Sequence, residues 1–527
     1  MNQEDVLDTV NIPEKLENQL KDAIDEEKLT EKVYVDALKD SYQDYKEEIS
    51  FVAQRFRNNQ DVKVKDALKG VNHDSKTDLA HAYADIQINH KNTKPVVIDS
   101  TTLFFRYKSE SRTWEQIDLD MLHKELDQDL TKDPINETVT QHLHNEFSSK
   151  MKNHYNYVDW ENFGLKPEQV LMKNGKILEL ENYDEENPMH KVTREAQKQD
   201  YAINAVNAIY DPDADIKYED TRLEEFIRDT IPNDEELEAL QQFLGFCLMW
   251  PSDKYEKSLL LLGPTDSGKS TLLKVIKHFF KESNTTEISF PQLGQERAFH
   301  VDELKQSVIN FDHDMAEKAL KQRARVKKII SKEEIYADPK MEKGYTMKPV
   351  SNFIIASNHP PDHDGADDAF LKRFLTIEAP TTVSEEDKER DLLEKLTTEK
   401  AMNWLFHWAV DGYESLMNMN RFAVNRGPKE TKELWSKYGG TVSRFVNEQV
   451  SRGTDDARNI PTRQLFETYK VWCEEEYEEP ESFQVFVSKA ADHPVMTKKK
   501  AFSFEESAER RMCFVDIEVK MSLEESF

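Results

Sequence analysis

Leu259-Leu260-Leu261-Leu262-Gly263-Pro264-Thr265-Asp266-Ser267-Gly268-Lys269-Ser270-Thr271 is the stretch on which the fold turns. The apolar run Ser258–Leu262 reads as a buried strand. It enters the phosphate-loop pattern GxxxxGK[ST], and Thr271–Phe280 then has the spacing of an amphipathic helix. Strand, loop and helix in that order are the context the pattern requires. Loop N–H groups and the helix N-terminus converge where negative charge is stabilised. Gly263 and Gly268 let the backbone bend and approach phosphate with no Cβ in the way. Lys269 is placed to reach the β- and γ-phosphates, and the Ser270 hydroxyl to ligate Mg²⁺. Residues Gly263, Pro264, Thr265, Asp266, Ser267, Gly268, Lys269, Ser270 and Thr271 are therefore the expected ATP contacts.

Outward from this centre, further strand candidates are Ile288–Phe290, Ser307–Phe311 and Phe353–Ser357, separated by helical stretches. Strands alternating with helices predict a parallel sheet with helices on both faces. Upstream, Val96–Ile98, Thr102–Tyr107 and Trp114–Ile117 read as strands, Asn174-Gly175 as a turn, and most of the rest as helix. Downstream, helices are expected at 430–449, 461–475 and 482–491, then two strands, Val495–Phe504 and Met512–Val519. Three helices and a hairpin are the composition of a winged helix. The resulting division is a charged helical region 1–80, a mainly helical domain 81–235 with a small β-hairpin, a phosphate-loop ATPase domain 236–425, and a winged-helix domain 430–527. The fold class is multidomain α/β.

Bulk properties bound the function. At 527 residues the chain has room for several domains. No apolar run approaches the length of a membrane span, and the first residues show no signal-peptide pattern, so a cytoplasmic protein (in the host cytoplasm if viral) with no membrane partner is expected. Cys247, Cys473 and Cys513 are far apart and predict buried thiols, not a disulfide or zinc framework. The net charge of −31 opposes nucleic-acid binding unless basic residues gather locally. They do. Lys318, Lys321, Arg323, Arg325, Lys327 and Lys328 share one expected helix. Lys340, Lys343 and Lys348 follow, interleaved with Tyr336 and Tyr345, in a Gly344-containing segment with hairpin character. Positive charge beside aromatic faces suits single-stranded nucleic acid. Lys498, Lys499 and Lys500, with Arg510 and Arg511, bracket the final hairpin, where a wing would meet the phosphate backbone.

Three further positions carry expected chemistry. An acid at a neighbouring strand end holds Mg²⁺ through water and polarises the attacking water. Asp312 and Asp314, after Ser307–Phe311, both fit. Asn358, at the tip of Phe353–Ser357, is placed to bond the γ-phosphate and the lytic water. Arg373 is placed to reach a neighbouring subunit's nucleotide as an arginine finger, with Lys372 its competitor and a surface ion pair the plain alternative.

Taken together, residues from about 85 to 520 resemble the superfamily-three helicases, specifically the phage/plasmid and poxvirus-type primase–helicase C-terminal region. The matching segments are GPTDSGKST, INFDHDM, KKIISKEEIYADPK through MKPVSNFIIASNHPP, and FLKRF. The resemblance implies an AAA+-type ring, a hexamer, with Lys340 and Lys343 gripping DNA in its pore, Asn358 as sensor and Arg373 as finger. Two features depart from the family. The acidic motif, which often ends in Glu, reads Asp312-His313-Asp314, and the Gly–acid pair before the hairpin is replaced by Ser331-Lys332-Glu333. The expected activity is an ATP-dependent DNA helicase in replication of a virus, plasmid or integrated element. Two rivals are an ATP-switched DNA-binding initiator that does not unwind, and a primase–helicase with a cryptic N-terminal primase.

Overall fold

The computed structural model describes residues 68, 71–98, 101–132, 135, 138–181, 190–212, 221–295, 300–313, 323–338, 344–361, 367–384, 386–453, 458–476, 478–493, 495–501 and 511–521. The chain divides into two compact units. One gathers the described residues up to Gly164 together with Gln197–Ile203. The other gathers Leu165–Ala196 and the residues from Asn204 on.

In the first unit, α1 (Lys76–Asn89) begins at Ser75, whose side chain accepts from the Asp78 N–H as an N-cap. β1 (Thr93–Ile98), β2 (Thr101–Lys108) and β3 (Thr113–Ile117) form an antiparallel meander. Then come α2 (Leu119–Thr131), α3 (Gln141–Lys152) and β4 (Val158–Asp159), which joins β1 in parallel. Leu122, Leu126 and Leu130 on α2, and Leu143, Phe147 and Met151 on α3, recur every four residues and so make one apolar stripe per helix. These stripes pack with Leu79 and Tyr83 of α1 and with Phe104 and Ile117 of the sheet.

The second unit opens with a meander of β5 (Gln169–Leu171), β6 (Lys176–Glu181) and β7 (His190–Glu195), its first turn at Asn174-Gly175. The strands read at Val96–Ile98, Thr102–Tyr107 and Trp114–Ile117 are β1, β2 and β3, whereas of the second meander the sequence reading had only the Asn174-Gly175 turn and expected helix around it. The short strands alternate weakly, and much of their patterning overlaps with helical spacing. α4 (Arg222–Thr230) and α5 (Asp234–Leu248), capped by Thr221 and Asn233, lead to the central sheet.

That sheet holds β8 (Ser258–Leu262), β9 (Thr285–Thr286), β10 (Ile309–Asp312), β13 (Asn352–Ser357) and β14 (Phe374–Glu378) in the order β14-β8-β13-β10-β9. All neighbours are parallel. Every residue of β8, β10 and β13 is buried, so both faces of these strands are covered, as a parallel sheet demands. α6 (Lys269–Phe280) follows β8. The expected strand at Ile288–Phe290 is displaced: the pairing residues are Thr285 and Thr286, and Phe290 opens the short helix α7 (Phe290–Leu293). Ser289 and Gln292 form a capping box there, and Pro291 suits a helix start. Buried Asn310 holds the intervening chain, accepting from the Ile288 N–H and donating to the Ile288 carbonyl, both at 2.8 Å.

Between β10 and β13 lie α8 (Arg323–Ile330) and an antiparallel hairpin of β11 (Ile335–Ala337) and β12 (Tyr345–Met347). α9 (Asp368–Leu371) precedes β14, and α10 (Leu392–Leu396) and the long α11 (Glu399–Met419) follow it. No helix among the described residues is long and apolar enough to cross a membrane. The expected helix 430–449 is two helices, α12 (Pro428–Lys437) and α13 (Thr441–Gln449), because Gly439-Gly440 interrupts it. The tail continues with β15 (Val450–Arg452), β16 (Arg458–Pro461), α14 (Thr462–Glu475), α15 (Phe483–Asp492), β17 (Lys498–Ala501) and β18 (Arg511–Val519). β15, β16 and β17 all pair with β18 antiparallel. The tail has its own core around Phe445, Leu465, Tyr469, Trp472 and Phe486. Cys247, Cys473 and Cys513 are all buried, and none is in a disulfide.

Candidate functional site

The carboxyl ends of β8, β13 and β10 face one side of the sheet, where ligands of open α/β sheets bind. Leu262 at the end of β8 pairs with Ser357 of β13 and with Glu378 of β14, while Asp312 of β10 pairs with Ile355. Loop 263–268 leaves β8 at this edge and α6 starts at its far end. Gly263 has no room for a side chain, since a Cβ there would lie 2.0 Å from the Ala379 carbonyl oxygen. Gly268, the α6 N-cap, has φ +85°, a conformation glycine adopts freely. No side chain caps α6, so the N–H groups of its first turn are left for a ligand.

Lys269 is folded over this loop. Its Nζ donates to the Gly263 carbonyl at 2.8 Å, the Pro264 carbonyl at 2.6 Å and the Ser267 hydroxyl at 3.0 Å. Burial lowers its pKa to about 8, with Asp266 opposing the shift. Pro264, Thr265, Asp266 and Ser270 are exposed around it. Asp266 pairs with Lys388 at 3.2 Å. The local donor set of backbone N–H groups, one ammonium and hydroxyls, over a cradle that Cβ atoms would fill, fits a polyphosphate.

The structure brings Asn358 to the loop: its Nδ2 donates to the Thr265 hydroxyl at 3.1 Å. Asp312 is buried, and its Oδ2 accepts from the Phe290 N–H at 2.8 Å. Arg373 is held within its own chain. Its Nε donates to the Ser331 hydroxyl at 2.8 Å, one Nη to the Ala369 carbonyl at 2.7 Å, and the other to Glu256 at 3.2 Å. Lys372 beside it is exposed. Asp314, Lys318, Lys321, Lys340, Lys343 and Arg510 lie outside the described residues. Around the hairpin, Tyr336 is exposed, Tyr345 is buried and Lys348 pairs with Asp253. On the basic helix, Lys327 pairs with Asp367 and Arg325 donates to the Leu293 carbonyl. In the tail, β17 sets Lys498, Lys499 and Lys500 opposite Phe514, Cys513 and Met512, and Lys498 and Lys499 are exposed.

Sequence reading missed the support behind the loop. Arg426 donates to buried Glu236 and, at 2.6 Å, to the Thr376 carbonyl of β14. Glu236 in turn accepts from the Glu378 N–H at 2.8 Å. Burial raises the pKa of Glu236, and Arg426 opposes that. The Trp435 indole bonds Thr376, and the Tyr438 hydroxyl bonds Glu378 at 2.8 Å. Lys332 is wholly enclosed, donating to Asn352 at 2.9 Å over the Phe246 ring, and burial lowers its pKa to about 8. These pairs join residues far apart in sequence, and no local pattern announces them.

Residues 261–373, from the end of β8 to Arg373, match a family described as "Family of unknown function (DUF5906)". No curated protein matches significantly. Among solved structures, an A-form apo structure of the NrS-1 C-terminal region aligns at 13% identity over 79% of this chain and 86% of that one, with a TM-score of 0.41. A second apo structure of that region (305–718) aligns at 14% identity over 83% and 99%, with a TM-score of 0.39. Likeness at this level leaves the chemistry to be read from the residues themselves.

Proposed function

We propose that this protein is an ATP-driven, ring-forming DNA helicase of the superfamily-three type, with a P-loop core and a winged-helix tail, acting in replication of a virus, plasmid or integrated element. The observation that carries this reading is the Asn358–Thr265 contact at 3.1 Å, which joins the tip of β13 to the phosphate loop. A strand-end amide beside a phosphate loop is what orientation of a terminal phosphate and its attacking water needs. ATP, when bound, supplies the phosphoanhydride whose cleavage drives movement. Lys269 transfers its donors from the loop carbonyls to phosphate oxygens. Ser270, with Asp312 or Asp314, would hold Mg²⁺, which would supply neutralisation of charge at the phosphates. Among the described residues no three His, Cys, Asp or Glu side chains gather as a metal cage. This suits Mg²⁺ held mainly by phosphate and water. Arg373 leaves Ser331 and Glu256 to stabilise charge in a neighbour's site. Lys340 and Lys343 grip one strand in the pore, and Lys498, Lys499 and Lys500 meet duplex DNA at the wing.

The test is ATP turnover with and without single-stranded DNA, run with strand displacement on a forked duplex and measurement of oligomer size at stated salt. Stimulated turnover, displacement and a ring of about six are expected. A monomer with no turnover in the presence of both ligands refutes the reading. The tethering of Arg373 within its own chain favours one second reading, a DNA-binding initiator in which ATP governs assembly. Stimulated ATPase without displacement would select it.

A further inference from the structure

The first unit carries a surface that the ATP site leaves unexplained. Its strands turn alternate side chains to opposite faces. Phe104 and Ile117 enter the helical core, whereas Phe105 points the other way, against Trp160 and Phe163 at ring distances of 6.0 and 4.7 Å. Trp114 meets Phe163 and Tyr201 at 5.8 and 5.7 Å. Rings, not aliphatic chains, therefore seal the face away from the helices.

Two lysines stand at this aromatic face. Lys94, opposite Phe105 in the β1–β2 register, donates to Asn156 Oδ1 at 2.7 Å. Lys198 donates to Asn92 Oδ1 at 2.5 Å and sits 5.6 Å from the Trp114 ring centroid. Asn92 stands just before β1, two residues ahead of Lys94. Burial holds Lys94 below its usual range. Burial, then the nearby Lys94 charge, lowers Lys198 to about 8. Among the described residues neither amine has a carboxylate partner; each rests on a neutral amide oxygen. That is unexpected in a chain with 102 acidic residues against 71 lysines and arginines. Two like charges partly withdrawn from water are costly unless an anion joins them. On either side of Asn156, Tyr155 and Tyr157 leave 81% and 52% of their surface in water. The Tyr155 ring stacks by one face on His154 at 4.4 Å, and both tyrosines flank the Asn156 that receives Lys94; exposed rings and amines without a carboxylate match the two needs of a single strand, stacking for its bases and charge for its phosphates.

We propose that Lys94, Lys198, Tyr155 and Tyr157 form a binding site for single-stranded nucleic acid on the first unit, the lysines holding phosphate and the tyrosines stacking bases. The site is separate from the basic segments assigned to the pore and the wing, and it does not depend on the ATP reading.

The test uses the full chain without nucleotide and a fluorescein-labelled oligothymidylate, followed by anisotropy across a salt series. Tyr155→Ala, which removes a ring 81% exposed and is checked for an unchanged melting temperature because that ring stacks on His154, weakens binding about tenfold. The double variant Lys94→Gln, Lys198→Gln reduces the salt slope by about 1.4, or about 0.7 for each phosphate released. Because other basic segments also bind, a second readout isolates this site. Lys198 is acetylated at pH 8 and mapped by mass spectrometry; the oligothymidylate protects it, and thymidine monophosphate at equal nucleotide concentration does not. Unchanged affinity in Tyr155→Ala together with an unprotected Lys198 overturns the proposal. Equal protection by the monophosphate also overturns it, assigning the pocket to free nucleotide. If the lysine double variant fails to fold, Tyr155→Ala and the protection experiment still decide.

Discussion

Under the proposed function, the lowered pKa of Lys269 predicts ATP binding that weakens at alkaline pH. Burial brings the free amine from 10.5 to about 8, a shift worth roughly 3 kcal/mol in favour of the neutral form. Phosphate oxygens beside the ammonium reverse that preference, so the bound-state pKa is higher than the free one. Binding therefore takes up a proton above pH 8. Below that pH the lysine is already charged and affinity is flat. Above it affinity falls by up to about tenfold per pH unit until the bound-state pKa is reached. Fluorescent ATP-analogue titrations between pH 7 and 9.5 should show a loss of about tenfold between pH 7 and pH 9, about fivefold of it above pH 8. Lys269→Arg, charged throughout this range, should bind with no such break. A flat wild-type profile to pH 9.5, or the same decline in Lys269→Arg, would refute the assignment of this amine to phosphate.

Three further variants test the two edges of the sheet, Gly263 at the carboxyl ends of its strands and Arg373 with Glu256 at the amino ends of β14 and β8. Gly263→Ala drives a methyl group to within 2.0 Å of the Ala379 carbonyl oxygen. It should cost about 1–3 kcal/mol in urea unfolding and abolish ATP-analogue binding; a fully stable variant with intact affinity contradicts the packing described. Arg373→Ala in assembled protein should lower turnover by about 10³-fold or more while sparing nucleotide binding. Glu256→Gln removes the charge that holds Arg373, the two side chains being 55% and 17% exposed. A pair this exposed is worth under about 1 kcal/mol. The variant should therefore melt within a few degrees of wild type while turnover per subunit rises by up to about fivefold, and wild-type turnover in Arg373→Ala would exclude the finger role.

The strand, loop and helix over residues 258–280 were legible because their constraints are local: an apolar run, two glycines, a lysine and an amphipathic spacing within a few residues. β8, β10 and β13 were legible as apolar runs, and β11 with β12 only as the hairpin character of a Gly344-containing segment. β9 was misplaced because Ile288 and Phe290 look like strand residues while Thr285 and Thr286 do the pairing. Side-chain bonds from Asn310, visible only in three dimensions, hold the segment between. The Gly439-Gly440 break was readable by glycine propensity but was overridden by the periodicity on either side. The partners of Arg373 were out of reach: Ser331 and Glu256 are brought to it by strand order, not by spacing. The same holds for Lys94 and Lys198, which share an aromatic face only because residues 197–203 return to the first unit.

β13 deserves a mechanical reading. The hairpin strand β12 ends at Met347, β13 runs from Asn352 to Ser357 in the middle of the sheet, and Asn358 follows at once. A buried strand of this length is a stiff bar about 20 Å long. In the proposed helicase, force applied to the hairpin by a threaded strand would be delivered lengthwise, like a pushrod, to the amide that touches Thr265. Load sensing and fuel sensing would then be the two ends of one stiff part.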